Sequence, residues 1–412
     1  MHILLIHQAF VTISEPGGTR HHELARALVQ KGHTITIIAS AVSYLTGQAG
    51  KVKISWKTID NLEQGITLIR VYTYPALHKS FVHRVISFFS FMLTSFLAGL
   101  AVKGVDLIWG TSPPIFQGFT AWLAARLKRA VFVFEVRDLW PAFAIAVGVL
   151  KNPVLIRLSL WLESFLYSQA NTVIVNSPGF IEHVRLKGAN QIELIPNAAD
   201  PDMFMNRGLK PAFDWGVNLE GKFICLYAGA HGLSNDLEVI LESAKILKND
   251  RDIVFILVGD GKEKPKLRQK AREFDLNNVI FLTPVPKDQM IGVIAGSDAC
   301  IAILKPIELY KTTYPNKVFD YMAAEKPVIL AIDGVIRDVV EKANAGIFVP
   351  PGDPDKMSEA ILYLKNHPQE TVKMGMNGRE YVIENFNRAF ISDQLEEVFC
   401  DAMLASRKKV EG

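Results

Sequence analysis

Arg137 and Asp138 follow the apolar run 131–136 and stand where a buried strand would hand its chain to solvent. Residues at the carboxyl ends of strands are where open α/β sheets hold their ligands. An arginine there suits phosphate, and an aspartate suits a hydroxyl that must be oriented or deprotonated. The same pair can equally staple a loop. Lys317 and Asp320, three residues apart, put a cation and a carboxylate on one helical face. Left to itself such a pair is an exposed ion pair worth ~0.5 kcal/mol. Glycines supply a third kind of chemistry. Gly17-Gly18 falls between strand-like and helix-like segments, and Gly259-Asp260-Gly261 follows an apolar run and precedes a helical pattern. Such turns let backbone N–H groups approach an anion at a helix N-terminus, although they also occur as plain turns.

Other residues with chemical potential point nowhere in particular. His21 and His22 are adjacent, so they cannot share a helix face as metal ligands, and capping or surface roles are expected. Asp200-Pro201-Asp202 resembles an acidic metal-binding triplet but reads better as structural. Cys225, Cys300 and Cys400 are too far apart for a disulfide framework or a zinc site. No metal site is expected.

The elements that must position these residues alternate between strand-like and helix-like almost throughout the 412 residues, too many for one compact core. In the first half, strands fit 2–7, 34–39, 66–72, 106–109, 131–136, 172–176 and 192–195. Helices fit 20–31, 115–128, 153–169 and 178–186. Residues 206–221, with Pro211, Asp214 and Gly216, read as a linker. Strands then fit 223–227, 253–258, 279–282, 299–304 and 328–331, with helices between them and on to the end. Short apolar runs without alternation suit strands covered on both faces. The expected architecture is α/β: two Rossmann-like, doubly wound parallel-sheet domains facing across a cleft. The boundaries are 1–205, 206–385 and a final helical segment 386–412.

Net charge is +3, but residues 1–200 carry +7 and residues 201–412 carry −4. A basic first half suits an anionic partner, or is simply an uneven, solvated surface. Phosphate-bearing lipid and an anionic membrane suit it better than nucleic acid, for which no motif is present. The opening Met1–Ile6 lacks a basic leader and reads as a buried first strand rather than a signal peptide. Eighteen uncharged residues run from Val85 to Val102 between Arg84 and Lys103, at the lower edge of bilayer-spanning length. Ser87, Ser90, Thr94, Ser95 and Gly99 interrupt them, and a span would split one sheet across a membrane. A core helix or an interfacial helix fits better. Lys79, His83 and Arg84, with Phe88, Phe89 and Phe91 close behind, keep the interfacial reading open.

A resemblance gathers these fragments. Pro16-Gly17-Gly18-Thr19-Arg20, then Lys31-Gly32-His33, Thr111-Ser112-Pro113-Pro114 and Glu135-Val136-Arg137-Asp138-Leu139-Trp140-Pro141 resemble the first half of bacterial family-four glycosyltransferases. Asn176-Ser177-Pro178-Gly179-Phe180, Ile195-Pro196-Asn197, Tyr227-Ala228-Gly229, Val258-Gly259-Asp260-Gly261 and Tyr314-Pro315-Asn316-Lys317-Val318-Phe319-Asp320 continue it in order. The chain is most similar to the fucosyl- and N-acetylfucosaminyl-transferase-like enzymes of O-antigen, capsule and colanic acid assembly. The resemblance implies the two-domain GT-B fold and a retaining, metal-independent transfer without cofactor. It implies a UDP-sugar donor and a polyprenyl-diphosphate-linked glycan acceptor. Work would then be done in the cytoplasm at the inner face of an anionic plasma membrane.

The resemblance also implies site residues. Asp320 would hold the ribose, and backbone near Asn316 would hold sugar and phosphate. The neighbourhoods of Gly259, Gly261 and Thr283-Pro284-Val285 would hold the base. Gly229 is kept in the loop after the first strand of the second half. Where the family carries an Arg and a Lys for the diphosphate, this chain has Ala230 and Asn235. Where the family often has acids at both ends of a nine-residue span, it has Thr312 and Asp320, leaving Glu308 as another acid for the sugar hydroxyls. Lys317, Lys305 and Arg137 are the cations expected to compensate, aided by the helix beginning near Asn235. Gly17 and Gly18 join the donor or acceptor contacts, and Asp138, Arg137 and Lys317 are the catalytic candidates. Two rivals share these residues: a nucleotide-sugar 2-epimerase on the same fold, and a non-catalytic, membrane-attached nucleotide-sugar binder.

Overall fold

The computed structural model describes residues 1–43, 55–75, 81–204 and 215–411. They form two compact units. Unit one comprises residues 1–10, 19–196 and 389–412, and unit two comprises residues 11–18 and 197–388.

Unit one contains β1 (His2–Ile6), α1 (Arg20–Gln30), β2 (Thr34–Ser40), β3 (Lys57–Glu63), β4 (Ile66–Val71), α2 (Phe81–Ala101) and β5 (Leu107–Ser112). It continues with α3 (Phe116–Lys128), β6 (Val131–Val136), α4 (Ala142–Ala146), α5 (Pro153–Gln169), β7 (Thr172–Val175), α6 (Ile181–Leu186) and β8 (Ile192–Leu194). Among the described residues its sheet has eight strands, ordered β3-β4-β2-β1-β5-β6-β7-β8. All neighbours are parallel except β3 and β4. The order reverses between β1 and β5, so the carboxyl ends of those strands flank a switch point where such sheets hold ligands. Strand β6 is buried along its whole length, as its unalternating VFVFEV run implies.

The edge strand β3 was not expected, because its KTIDNLE sequence is largely exposed and lacks an apolar face. It is an antiparallel hairpin partner turned through Gly65 at φ 88°. That conformation favours glycine.

Helix α2 is long and apolar enough to cross a bilayer by length and composition. One face is built into unit one through Phe88, Phe91 and Ala98, while Val82, Ile86, Phe89, Leu93 and Leu97 remain exposed. Lys79, part of the expected interfacial anchor, lies outside the described residues.

Unit two contains β9 (Phe223–Ala228), α7 (Leu237–Ile246), β10 (Ile253–Val258), α8 (Lys264–Glu273), β11 (Val279–Leu282), α9 (Lys287–Ala295) and β12 (Ala299–Ile303). After these come α10 (Asn316–Ala323), β13 (Val328–Ala331), α11 (Val335–Lys342), β14 (Gly346–Phe348), α12 (Pro354–Asn366) and α13 (Pro368–Asn385). Its sheet is parallel throughout, ordered β11-β10-β9-β12-β13-β14, with the reversal between β9 and β12. Of the expected linker, residues 206–214 lie outside the described residues, and 215–221 are irregular, ending in a turn at 220–221.

The last helix, α14 (Arg388–Glu411), packs in unit one from Ala389 onward. Phe399 meets Trp109 edge-on at 5.3 Å between ring centroids, and Glu396 accepts from Lys31 and pairs with His33 at 2.7 and 2.8 Å.

Candidate functional site

In unit one the chemistry gathers where β1 and β6 end. Arg137 Nη1 donates to Nε2 of His7, the residue just after β1, at 2.8 Å. His7 is buried, and burial, then the charges of His21 and Arg137, push its imidazole well below the usual range. The neutral ring therefore accepts at Nε2 and carries its proton on Nδ1, which has no partner among the described residues.

Behind His7 lies a tightly paired group. Glu135 is fully buried and takes His21 Nε2 at 2.7 Å and Arg20 Nε at 3.2 Å. Burial alone would raise this carboxyl, but His21 and Arg20 together hold it well below the carboxylate range. Arg20 also donates to the carbonyls of Pro196 and Ile195 at 2.6 and 2.7 Å, tying α1 to the chain after β8. His21, expected at a cap or on the surface, is instead a core residue, because only a buried donor can satisfy Glu135 on that side. Burial lowers its pKa to about 4 against the pull of Glu135, to whose carboxylate Nε2 donates.

Asp138 makes no ion pair with its neighbour Arg137. Burial pushes its carboxyl up to about 7, opposed by the Arg137 charge and the Leu139 N–H. A carboxyl of that pKa exchanges protons at neutral pH, which suits a group handling a hydroxyl.

In unit two the carboxyl ends of β9 and β10 carry interlocked glycine turns. Gly229, Gly259 and Gly261 have φ of 150°, 151° and 157°. A Cβ on Gly259 would stand 1.8 Å from the Gly229 carbonyl oxygen, and one on Gly261 2.4 Å from that of His231. No side chain fits, so the turns expose backbone where another residue would cover it. His231 N–H donates to Asp260 O at 2.8 Å, and its buried ring leaves both nitrogens without partners among the described residues. Burial, then Lys264, lowers its pKa to about 4.

Lys317 projects from the first turn of α10 over the Tyr227 ring, with Nζ 4.0 Å from the centroid. Its ammonium stands 2.7 Å from where a Gly229 Cβ would be. Among the described residues no carboxylate pairs with it, and burial lowers its pKa to about 7. The Lys317–Asp320 ion pair open to these residues by spacing does not form. Asp320 pairs instead with Lys287 of α9 at 2.6 Å and accepts from Asn316 at 3.1 Å.

The remaining expected residues fall at varied distances from this chemistry. Asn235 precedes α7, its N–H bonded to Gly232 O at 3.1 Å. Lys305 donates its backbone N–H to Ser234 O at 2.9 Å, which ties the chain after β12 to the loop before α7. Pro284 and Val285 are half-buried in the turn between β11 and α9. Glu308 is exposed and bonded to Lys311 at 2.8 Å. Gly17 and Gly18 belong to the segment 11–18 of unit two, and nothing lies within 4 Å of a Cβ built on Gly18. That segment is held by Lys287 N–H to Ile13 O at 3.2 Å. Asp200 Oδ1 accepts from the backbone of Asp202 and Met203 at 3.0 and 3.3 Å, a turn cap. Among the described residues no group of acids, histidines and cysteines is placed to hold a metal.

His7, His231 and Lys287 carry no motif and were not singled out by sequence reasoning. Position is their one signal: the first two follow the strands that open each unit, and Lys287 begins a helix after a strand.

Two doubly wound parallel sheets, each with its anion-suited chemistry at the switch point, define a class of nucleotide-handling α/β enzyme. Residues 17–198 match the family described as glycosyl transferase 4-like domain, and residues 222–367 match glycosyl transferases group 1. The chain belongs to this glycosyltransferase family and has its GT-B fold. It is 24% identical over 390 residues to WcaI of Escherichia coli K12, a glycosyl transferase named for colanic acid biosynthesis, covering 90% of this chain and 94% of that one. It is 22% identical to the D-rhamnosyltransferase WbpZ of Pseudomonas aeruginosa, over 56% of this chain and 59% of that one. Among solved structures, sucrose-phosphate synthase from Thermosynechococcus elongatus superposes with a TM-score of 0.79 at 19% identity, covering 98% and 99% of the two chains. Anabaena HepE in complex with UDP-glucose does so with a TM-score of 0.73 at 16% identity, covering 97% and 100%.

Proposed function

We propose that the protein transfers a sugar, with retention, from a UDP-sugar to a polyprenyl-diphosphate-linked glycan in the assembly of a bacterial surface polysaccharide. The observation that carries the reading is Lys317: a half-buried cation without a carboxylate partner among the described residues, beside glycine turns that expose backbone at the β9–β12 switch point. A diphosphate is the ligand that such a site lacks. The N-terminus of α10, from which Lys317 projects, adds its dipole. Lys317 thus takes the part of the family's missing loop cations. Asp320 keeps acceptor capacity beyond Lys287 and Asn316 for a ribose hydroxyl. HepE, solved with UDP-glucose, supports UDP as the nucleotide.

In this reading the leaving phosphate takes the acceptor proton, and Asp138 orients the hydroxyl. No pair of carboxylates is needed, and no metal. The polysaccharide setting is supported by WcaI and by the O-antigen chain mannosyltransferase C of E. coli, 19% identical over 61% of this chain. Work at the inner face of the plasma membrane follows from the lipid-linked acceptor.

Mass spectrometry of products from a panel of UDP-sugars, offered with an undecaprenyl-diphosphate-linked glycan, tests the whole reading. Acceptor-dependent product supports it; donor isomerised or hydrolysed without acceptor would replace it with an epimerase. Asp138→Asn is expected to lower turnover about 100-fold with UDP affinity unchanged. Full turnover in that variant removes Asp138 from the site.

A further inference from the structure

Helix α2 carries apolar side chains on its outward side as well as on its buried one. The buried side holds Phe88, Phe91 and Ala98 together with hydroxyls: Thr94 donates to the Tyr72 carbonyl at 2.8 Å, and Ser95 to Met92 O at 3.2 Å. Its outward side carries Ile86, Phe89, Leu93 and Leu97, with Leu93 61% exposed. A surface helix in water places polar side chains on its outward side. Helix α5 repeats the oddity with exposed Val154, Leu155, Leu158 and Trp161, the last 60% exposed. Contiguous apolar surface of this kind marks an interaction site.

Between the two helices runs a groove of about 350 Å³, walled by Phe88, Phe116, Trp140, Leu158 and Trp161. Arg84 and Ser159 are its only lining residues that are not hydrophobic. The charge beside it has one sign: Arg84 lines it, and the exposed charged side chains within two residues of its lining, Lys151 and Arg157, are both basic. Hydrocarbon in the groove and an anion outside it is the chemistry of a phosphorylated lipid.

The groove also ends on Trp140, close along the chain to the Arg137–Asp138 corner. Trp140 follows Asp138 by two residues, bonds its N–H to Asp138 O at 2.8 Å, and packs edge-on against Phe116 at 5.7 Å. A contact with bulk bilayer requires no groove leading to that corner, whereas an acceptor whose tail is held and whose sugar is presented does. We propose that the α2–α5 groove seats the hydrocarbon chain of the polyprenyl carrier, with its phosphate end toward Arg137 and Asp138. This rests on the reading of the protein as a transferase with a lipid-linked acceptor, and gives that acceptor a second point of attachment.

The full chain in neutral detergent is irradiated with a benzophenone-bearing polyprenyl phosphate and the label mapped by mass spectrometry. Label is expected in peptides covering 82–97 and 149–162. It should fall about tenfold with excess undecaprenyl phosphate, hold against equal phosphatidylglycerol, and fall about tenfold in Leu158→Glu/Trp161→Glu. Label elsewhere, equal competition by phosphatidylglycerol, or undiminished label in the double variant overturns the proposal. Should the double variant also lose UDP binding by calorimetry, it has misfolded, and Trp161→Ala decides by the same loss of label. Protein that binds UDP but takes no label refutes the groove alone. Protein that labels as expected but never binds UDP refutes the transferase reading and leaves the groove standing.

Discussion

The two switch-point corners treat charge in opposite ways. In unit one Glu135 sits between Arg20 and His21, and Arg137 reaches His7. In unit two Lys317 is held over Tyr227 with no counter-charge among the described residues, and burial lowers its pKa to about 7. Paired charges in a low-dielectric interior fix the geometry of the chain around them. An unpaired one is poised to gain from a ligand, because that ligand removes the cost of its isolation. The Glu135 cluster is built to be stable and the Lys317 corner to bind.

The largest effect expected from this contrast is on stability. Glu135→Ala strands Arg20 beside buried surface and should cost about 3–5 kcal/mol, seen as a lower denaturation midpoint. A change within the range of an ordinary surface substitution, about 0.5 kcal/mol, would mean that the cluster is not structural. Lys317→Ala should do the reverse. Donor affinity is expected to fall by about 1.5–3 kcal/mol, the worth of a hydrogen bond to a charged group, while thermal stability holds or rises. Unchanged UDP binding by calorimetry removes Lys317 from the diphosphate. Asp320→Ala is the intermediate case: it leaves Lys287 buried without its partner, so it should cost both affinity and stability.

A pH series sharpens the contrast further. Lys317 has a lowered pKa, so its cation is present below about 7 and lost as pH rises above it. A UDP-sugar, whose diphosphate does not titrate there, binds the protonated form. Its affinity should be highest below pH 7 and fall by up to about tenfold per unit above it, until the raised pKa of the complex is passed. Lys317→Arg should flatten the profile, since guanidinium stays charged. A profile identical in both proteins would assign the dependence to another group. The smallest effect is expected from chelation. Turnover should survive excess EDTA, because cation and helix end together take the place of a metal. Loss restored by magnesium or manganese would break the comparison at its second corner.

Much of this arrangement was legible along the chain. Unalternating runs such as VFVFEV and IVFILV announce doubly covered strands, and Gly259-Asp260-Gly261 announces a turn that no side chain can enter. The order of the motif blocks gave the family, since many weak signals in sequence are jointly specific. The edge strand β3 was not legible, because exposure on both faces removes the periodicity that marks a strand. Nor was the role of His21: a histidine in a polar-looking helix start shows nothing of the buried carboxylate that pairs with it 114 positions away.

What the sequence determined by itself is therefore local or repetitive: which segments become strands, where backbone must lack a Cβ, which strand ends carry chemistry. These depend on neighbours along the chain, and the pattern of types records them. The tertiary structure alone decided partners. It gave Asp320 to Lys287 rather than to Lys317, closed Glu135 with Arg20 and His21, and set the apolar faces of α2 and α5 side by side. Pairing of charges and apposition of surfaces depend on distance in space, and the folding of distant segments against one another is what fixes that distance.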